Sequence, residues 1–245
     1  NVPSRSNTTA SLLRTNLNSM TVKEMGIDLN GKNIEAVVFD LDGTFYNIGF
    51  FTKLMFLLHN IRNLSLFSAH RKIMKTLRNE DFGSGEKYFD TLFGRISELT
   101  GKNKKNIKGW YLTDFRKDFI LTLAKSCKKN KDLERVAGIL KKINLKTAIL
   151  SDFGFIEERL EALNIDRSLF DILVSGEEEG ALKPQTRPLI KISEHLAVNT
   201  ENSVLIGDRD DTDKAVAENT GMVFIDVKNI SNLENILKVH ISGVV

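Results

Sequence analysis

Short apolar runs alternate with helix-like segments along most of the chain. The runs are rich in Val, Ile and Leu, as in strands that are buried on both faces of a parallel sheet. They lie at Ala36–Asp40, Lys146–Leu150, Asp171–Val174, Ser203–Ile206 and Met222–Ile225. Segments with apolar residues at helical spacing follow them, at Leu133–Ile143, Glu157–Leu163, Pro188–Leu196, Lys214–Asn219 and Leu233–Val239. This alternation predicts an α/β fold with a Rossmann-like, doubly wound parallel sheet.

The stretch between the first two predicted strands has a purely helical pattern. Apolar residues recur at helical spacing in Lys53–Arg62, Leu66–Leu77, Tyr88–Leu99 and Trp110–Ala124. No valine occurs between Tyr46 and Arg135, although the predicted strands are rich in it. We therefore predict a core formed by residues 31–46 and 132–245, an inserted helical cap at 47–131, and a flexible N-terminal extension at 1–30.

Composition sets broader limits. The chain has 245 residues, of which 41% are hydrophobic and 27% charged, as is typical of a globular protein. Its net charge of +3 does not favour a nucleic-acid partner, and no apolar stretch is long enough to cross a membrane. The single cysteine, Cys127, excludes an internal disulfide and fits a reducing compartment. We expect a cytoplasmic protein without nucleic-acid or membrane partners, either a monomer or a homodimer.

The basic residues are concentrated in two places. Residues 47–135 contain 19 Lys and Arg against 9 Asp and Glu, a net charge of +10, which suits an anionic substrate beneath the cap. The first 23 residues carry Arg5, Arg14 and Lys23, many Ser, Thr and Asn residues, and no acid. Such a start is typical of an organellar transit segment and also of a disordered tail. An organellar location is therefore the alternative to the cytoplasm.

Polar residues follow the first four predicted strands, at the edge where a parallel sheet binds its ligands. Asp40 and Asp42 end the first strand, and Ser151 ends the second. Lys183 follows the third, and the acidic run Gly207–Asp213 follows the fourth. Carboxylates bind Mg²⁺, a serine hydroxyl donates to phosphate oxygens, and a lysine neutralises their charge. This set of groups is what phosphoryl transfer through an aspartyl-phosphate requires.

These residues resemble the four motifs of the haloacid dehalogenase superfamily. The motifs are Asp-Leu-Asp-Gly-Thr at Asp40–Thr44, the serine Ser151, the lysine of Leu-Lys-Pro at Lys183, and Gly207–Asp213. Their order agrees with the family, and the resemblance covers about Ile34 to Asp226. It implies the Rossmann-like core and also a helical cap between the first two motifs.

The resemblance assigns roles to the motif residues. Asp40 corresponds to the nucleophile, and Asp42 to the general acid and base. Ser151 and Lys183 are expected to be catalytic and to bind the phosphoryl group. Gly43, Thr44 and Asp152 are expected to complete the substrate site.

A magnesium site is also implied by the resemblance. Asp40, the backbone carbonyl of Asp42, and Asp208 would bind Mg²⁺. Either Asp213 or Asp211 would complete the metal shell, with Asp213 preferred. Among the acidic residues outside the motifs, Glu177–Glu179 are predicted to form a solvated loop.

The resemblance favours a Mg²⁺-dependent phosphatase that acts on a small phosphorylated metabolite. The dehalogenases of the family lack the second aspartate and use no metal, whereas this chain has Asp42 and the acidic run. Two alternatives remain open. One is a sugar phosphomutase of the beta-phosphoglucomutase type, and the other is a non-catalytic ligand-binding protein. None of His59, His70, His195 and His240 lies in a motif, so we assign them no catalytic role.

Overall fold

The computed structural model describes residues 27–29 and 32–230. Within these residues, five parallel strands form the central sheet: β3 (Ala36–Asp40), β4 (Lys146–Ser151), β5 (Ile172–Ser175), β6 (Ser203–Gly207) and β7 (Val223–Asp226). Their order across the sheet is β5-β4-β3-β6-β7. A separate antiparallel pair, β1 (Ile27–Leu29) and β2 (Lys32–Ile34), precedes the sheet. The predicted Rossmann-like α/β fold is confirmed.

Alternation along the strands supplies a separate hydrophobic cluster to each face of the sheet. In β3, Val37 and Phe39 belong to one cluster, whereas Ala36 and Val38 belong to the other. Successive strand side chains point to opposite faces, so a strand covered on both sides must be apolar throughout. Every residue of β3 is buried, including the terminal Asp40. The sheet therefore carries this carboxylate into an environment shielded from water.

Core helices cover both faces of the sheet. Helices α6 (Lys131–Lys142) and α7 (Ile156–Ala162) contribute to the cluster of Phe39, whereas α9 (Arg187–Leu196) and α10 (Ala215–Thr220) contribute to the cluster of Val38. The short helix α8 (Gly176–Glu179) follows β5 directly. The prediction of a solvated loop at Glu177–Glu179 is wrong. Ser175 Oγ accepts from the backbone N–H of Glu178 and caps this helix, and Glu177 is buried.

Five α-helices lie between β3 and α6, and we call them the cap. They are α1 (Phe50–His59), α2 (Leu64–Leu77), α3 (Gly85–Thr100), α4 (Lys104–Trp110) and α5 (Arg116–Ser126). Where the sequence predicts one helix at Trp110–Ala124, α4 runs through a π-helical turn, Tyr111–Phe115, into α5. The turn buries Tyr111 and Phe115. The division into core and cap at residues 46 and 132 remains a prediction.

Backbone contacts also link the cap to the core away from the two chain segments that connect them. The backbone N–H of Phe82 donates to the carbonyl of Gly180 at 2.8 Å, and Asp81 forms a β-bridge with Ala181. Gly180 has a φ of +76°, and a Cβ atom there would lie 2.3 Å from the carbonyl oxygen of Ser84. Only glycine permits both the backbone conformation and this approach.

Parts of the sequence predictions lie outside the described residues. They are the N-terminal extension, apart from Ile27–Leu29, and the predicted helix Leu233–Val239. Within residues 27–29 and 32–230, no helix is both long and apolar enough to span a membrane.

Candidate active site

Asp40 and Lys183 form a buried ion pair at the carboxyl end of β3. Lys183 Nζ donates to Asp40 Oδ1 and also to Asp213 Oδ1, the latter at 2.6 Å. Burial and the neighbouring Asp213 and Asp42 raise the pKa of Asp40, although Lys183 opposes this. Burial disfavours the ammonium, but Asp40 and Asp213 outweigh it and raise the pKa of Lys183. The ammonium group of Lys183 thus lies against the carboxyl group predicted to be the nucleophile.

Three carboxylates form an acidic cluster that fits a hard cation. Oxygens of Asp40, Asp208 and Asp213 lie within 4.8 Å of one another. Asp40 Oδ2 and Asp208 Oδ1 are buried and have no hydrogen-bond partner among the described residues. Carboxylate oxygens are the ligands that Mg²⁺ prefers, and a bound cation relieves the repulsion between close carboxylates. These residues therefore fit the predicted metal.

Two glycines make room for the acidic cluster. Gly43 has a φ of +94°, and a Cβ atom at this position would lie 2.3 Å from Asp208 Oδ2. A Cβ atom at Gly207 would lie 2.5 Å from that of Asp213. Both sites require a residue without a side chain, because the carboxylates occupy the space.

The structure places the two alternative aspartates of the last motif differently. Asp213 is buried, and its Oδ2 accepts the backbone N–H groups of Asp208 and Arg209 at 3.2 Å. Asp211 is exposed and pairs with Arg209 on the protein surface, outside the acidic cluster. The π-helical turn Asp210–Lys214 carries both residues and directs Asp213 inward. The geometry thus favours Asp213 as the partner of Asp40 and Asp208.

Both oxygens of Asp42 are occupied by protein groups. Oδ1 accepts from Arg159 and from the hydroxyl of Tyr46, while Oδ2 accepts from Ser151 Oγ at 2.7 Å. Burial disfavours the charge, but Arg159 and the hydroxyl donors hold the pKa of Asp42 below its usual value. The Asp42 side chain is therefore a hydrogen-bonded carboxylate, and it takes no part in the acidic cluster.

Sequence reasoning did not predict that Arg159 and Tyr46 contact Asp42. Arg159 is fully buried, and its Nη1 donates to Ser151 Oγ at 2.8 Å. It lies on α7, outside every motif, so no local pattern distinguishes it from a surface arginine. Tyr46 lies only four residues from Asp42, within the first predicted strand-and-turn stretch. The sequence signal for its role is a hydroxyl group this close to Asp42.

A cavity of about 590 Å³ separates the cap from these core residues. Its floor includes Asp40, Asp42, Gly43, Lys183, Asp208 and Asp213. Its cap side carries the aromatic residues Phe56, Phe67, Phe115 and Phe119 and the basic residues Lys53, Arg71 and Arg78. The cavity can accommodate a phosphorylated ligand whose anionic end faces the core.

Three other residues predicted to bind substrate are buried or already paired with protein groups. Ser151 and Thr44 are buried and do not line this cavity, and the Ser151 hydroxyl is occupied by Asp42. Asp152 lines the cavity, but its Oδ1 accepts the backbone N–H of Lys183 at 2.9 Å and its Oδ2 pairs with Arg78 at 3.2 Å. Asp152 thus holds the Lys183 segment and a cap arginine in place.

His70 lies in the cavity wall, although it belongs to no motif. It packs against the rings of Trp110, Tyr111, Phe115 and Phe153. Burial lowers its pKa to about 3, so the imidazole is neutral at physiological pH. The side chain therefore adds an aromatic surface to the wall.

A second buried carboxyl group lies between cap and core. Glu177 Oε2 accepts the hydroxyl of Tyr111 from the cap at 2.6 Å and the backbone N–H of Gly154 from the core at 3.0 Å. Burial raises the pKa of Glu177 to about 7, although these donors and Arg159 oppose the shift and Asp152 adds to it. Glu177 thus connects the π-helical turn of the cap to the core.

The family model described as "Hydrolase: haloacid dehalogenase-like hydrolase" matches residues 34–221. The chain belongs to this family, and it is an enzyme of the haloacid dehalogenase-like hydrolase class. The phosphoglycolate phosphatase of Aquifex aeolicus (strain VF5) is 26% identical over 181 residues, which cover 72% of this chain and 77% of that protein.

Solved structures share the fold at lower sequence identity. The 2-haloacid dehalogenase of Pseudomonas syringae pv. Tomato DC3000 has a TM-score of 0.59 and 16% identity, over 84% of this chain and 98% of that one. The HAD phosphatase of Thermococcus onnurineus has a TM-score of 0.54 and 17% identity, over 83% and 98% of the two chains. Neighbours with different chemistries therefore share this fold, so the site residues must distinguish between them.

Proposed function

We propose that this protein is a Mg²⁺-dependent phosphatase that hydrolyses a small phosphorylated metabolite through an aspartyl-phosphate. The observation that carries the proposal is Asp40 itself. It lies at the cavity floor against Lys183, and its free Oδ2 belongs to the acidic cluster. Similarity to a protein named phosphoglycolate phosphatase supports the phosphatase class.

Two displacements at phosphorus make up the proposed reaction. In the first, an oxygen of Asp40 attacks the phosphorus, the ester P–O bond breaks, and protonated Asp42 gives its proton to the leaving oxygen. In the second, water attacks the phosphorus of the aspartyl-phosphate and gives a proton to Asp42 as the Asp40–phosphorus bond breaks. The ion pair between Asp42 and Arg159 matches the second step, in which Asp42 is a carboxylate.

Lys183 and the acidic cluster, through a bound cation, would neutralise the negative charge of the phosphoryl group. Lys183 Nζ keeps Asp40 in place and lies where it can neutralise phosphate oxygens. Asp40 and Asp208 would hold Mg²⁺ through their free oxygens, with Asp213 completing the cluster. When bound, Mg²⁺ would supply positive charge to the transferring oxygens.

The cap favours an anionic substrate with an apolar portion. Lys53, Arg71 and Arg78 place positive charge along the cavity, and Phe56 and Phe119 lie beside them. Phosphomutase activity uses the same motif residues. Isomerisation of a sugar phosphate without phosphate release would therefore support the mutase instead.

The experiment is phosphate release from a panel of phosphorylated metabolites, with Mg²⁺ or with a chelator. We expect release by the wild type with Mg²⁺ and none by Asp40→Asn. The matched control is Asp90→Asn, which removes an exposed cap carboxylate paired with Lys104 and should leave the rate unchanged. Release that survives in Asp40→Asn, or that is unaffected by the chelator, would contradict the proposed mechanism.

A further inference from the structure

We infer that Arg159 is a positioning residue that holds Asp42 and Ser151 in place for hydrolysis of the aspartyl-phosphate. This inference rests on the proposed function. Arg159 lies on α7 and touches neither the acidic cluster nor the ion pair of Asp40 with Lys183 in the described structure.

The contacts of Arg159 connect the two motif residues. Its Nη2 donates to Asp42 Oδ1 and to Tyr46 Oη, the latter at 3.1 Å, while its Nη1 donates to Ser151 Oγ at 2.8 Å. Ser151 in turn donates to Asp42 Oδ2 at 2.7 Å. Asp42, Ser151 and Arg159 thus form a closed ring of hydrogen bonds, in which each member restrains the other two.

The guanidinium group is itself fixed. Nη1 also donates to the carbonyl oxygens of Phe153 at 3.1 Å and Gly154 at 3.4 Å, in the loop after β4. The ring of Phe119, from cap helix α5, packs against the guanidinium group, and its centroid lies 5.0 Å from Arg159 Cζ. A planar group with several donors can meet all these partners, whereas a lysine ammonium acts as one point charge. The side chain therefore has little freedom to move away from Asp42.

This arrangement has a kinetic consequence for the second displacement. The attacking water must give its proton to Asp42, and the transfer depends on where the carboxylate points. The first displacement is less dependent on Asp42 when the leaving group is a good one, such as p-nitrophenolate. Loss of Arg159 should therefore slow the second step more than the first for that substrate.

The test is pre-steady-state hydrolysis of p-nitrophenyl phosphate by wild type, Arg159→Met and Arg159→Lys. We expect Arg159→Met to show a burst of about one p-nitrophenol per enzyme, with kcat lowered about 100-fold and kcat/KM changed less than about 10-fold. Arg159→Lys should show the same pattern with a smaller loss. It retains a buried cation, and it decides the question if Arg159→Met does not fold.

A matched control is available on the cap surface. Arg116 pairs with Glu158 and lies over the ring of Phe155 at 5.0 Å, so it shares one carboxylate contact and one aromatic contact with Arg159 but lies away from the site. Arg116→Met should show the same time course and the same kcat as the wild type. If both Arg159 variants lose kcat and kcat/KM equally, or lose neither, Arg159 does not position Asp42 and the inference is wrong. If the wild type releases no p-nitrophenol, the proposed phosphatase function fails, and this inference fails with it.

Discussion

The core buries charged side chains, whereas the first cap helix, α1, exposes apolar ones. In the core, charged side chains are buried and paired, as with Asp40 and Lys183 at the end of β3. In cap helix α1 the buried residue is Thr52, whereas Phe50 is 83% exposed. Burying charges costs free energy that pairing does not fully recover, so the core arrangement indicates a function. The cap provides an aromatic and basic wall of the cavity, which under the proposed function would select the substrate.

The strongest test of this comparison is Lys183→Met. Removal of one member of a buried ion pair leaves carboxylates without a partner, which costs about 3–5 kcal/mol of unfolding free energy. Lys191→Met is the control, since Lys191 pairs with Glu179 near the surface and should cost at most about 1 kcal/mol. Urea unfolding with a chelator present measures both values. Equal losses would show that burial of the core pair makes no difference.

A pH-dependent test addresses the contact that Glu177 makes between cap and core. The pKa of Glu177 is about 7 in the folded chain against an ordinary 4.5, so the folded state binds this proton more tightly. Its contribution to stability is complete below about pH 4.5 and is lost as pH rises to about 7, by about 3 kcal/mol in total. Glu177→Gln should remove this part of the pH dependence.

Urea unfolding at pH 5, 6 and 7 compares the wild type with Glu177→Gln. The difference between the two chains isolates Glu177 from other titrating groups. Parallel pH profiles would show that Glu177 is ionised in the folded chain throughout this range.

The smallest effect is expected on the outer face of the cap. Phe50→Ser should change the unfolding free energy by no more than about 0.5 kcal/mol, because the ring is already in water. Phe115→Ala in the cap interior, where the ring packs against His70 and Phe119, should cost about 3–5 kcal/mol. A large loss in Phe50→Ser would indicate that this face is covered in solution, and a light-scattering mass would then show whether a second copy covers it.

The sequence alone was sufficient to predict the fold and the family. Strand periodicity predicted the sheet because alternation along a strand is a local property. The strand ends then placed Asp40, Lys183 and Asp208 at one edge, since parallel strands end on the same side. The confirmed fold and family depend on these local signals.

Tertiary structure decided the partners of those groups. Spacing could not choose between Asp211 and Asp213, because a π-helical turn rather than a regular helix directs them. Nor could any motif show that Arg159 meets Asp42 across 117 positions of sequence, or that Glu177 is buried against Tyr111. A buried charge is recognisable only once its surroundings are known. Its energy depends on the distance and burial of its partners, which come together only when the chain folds.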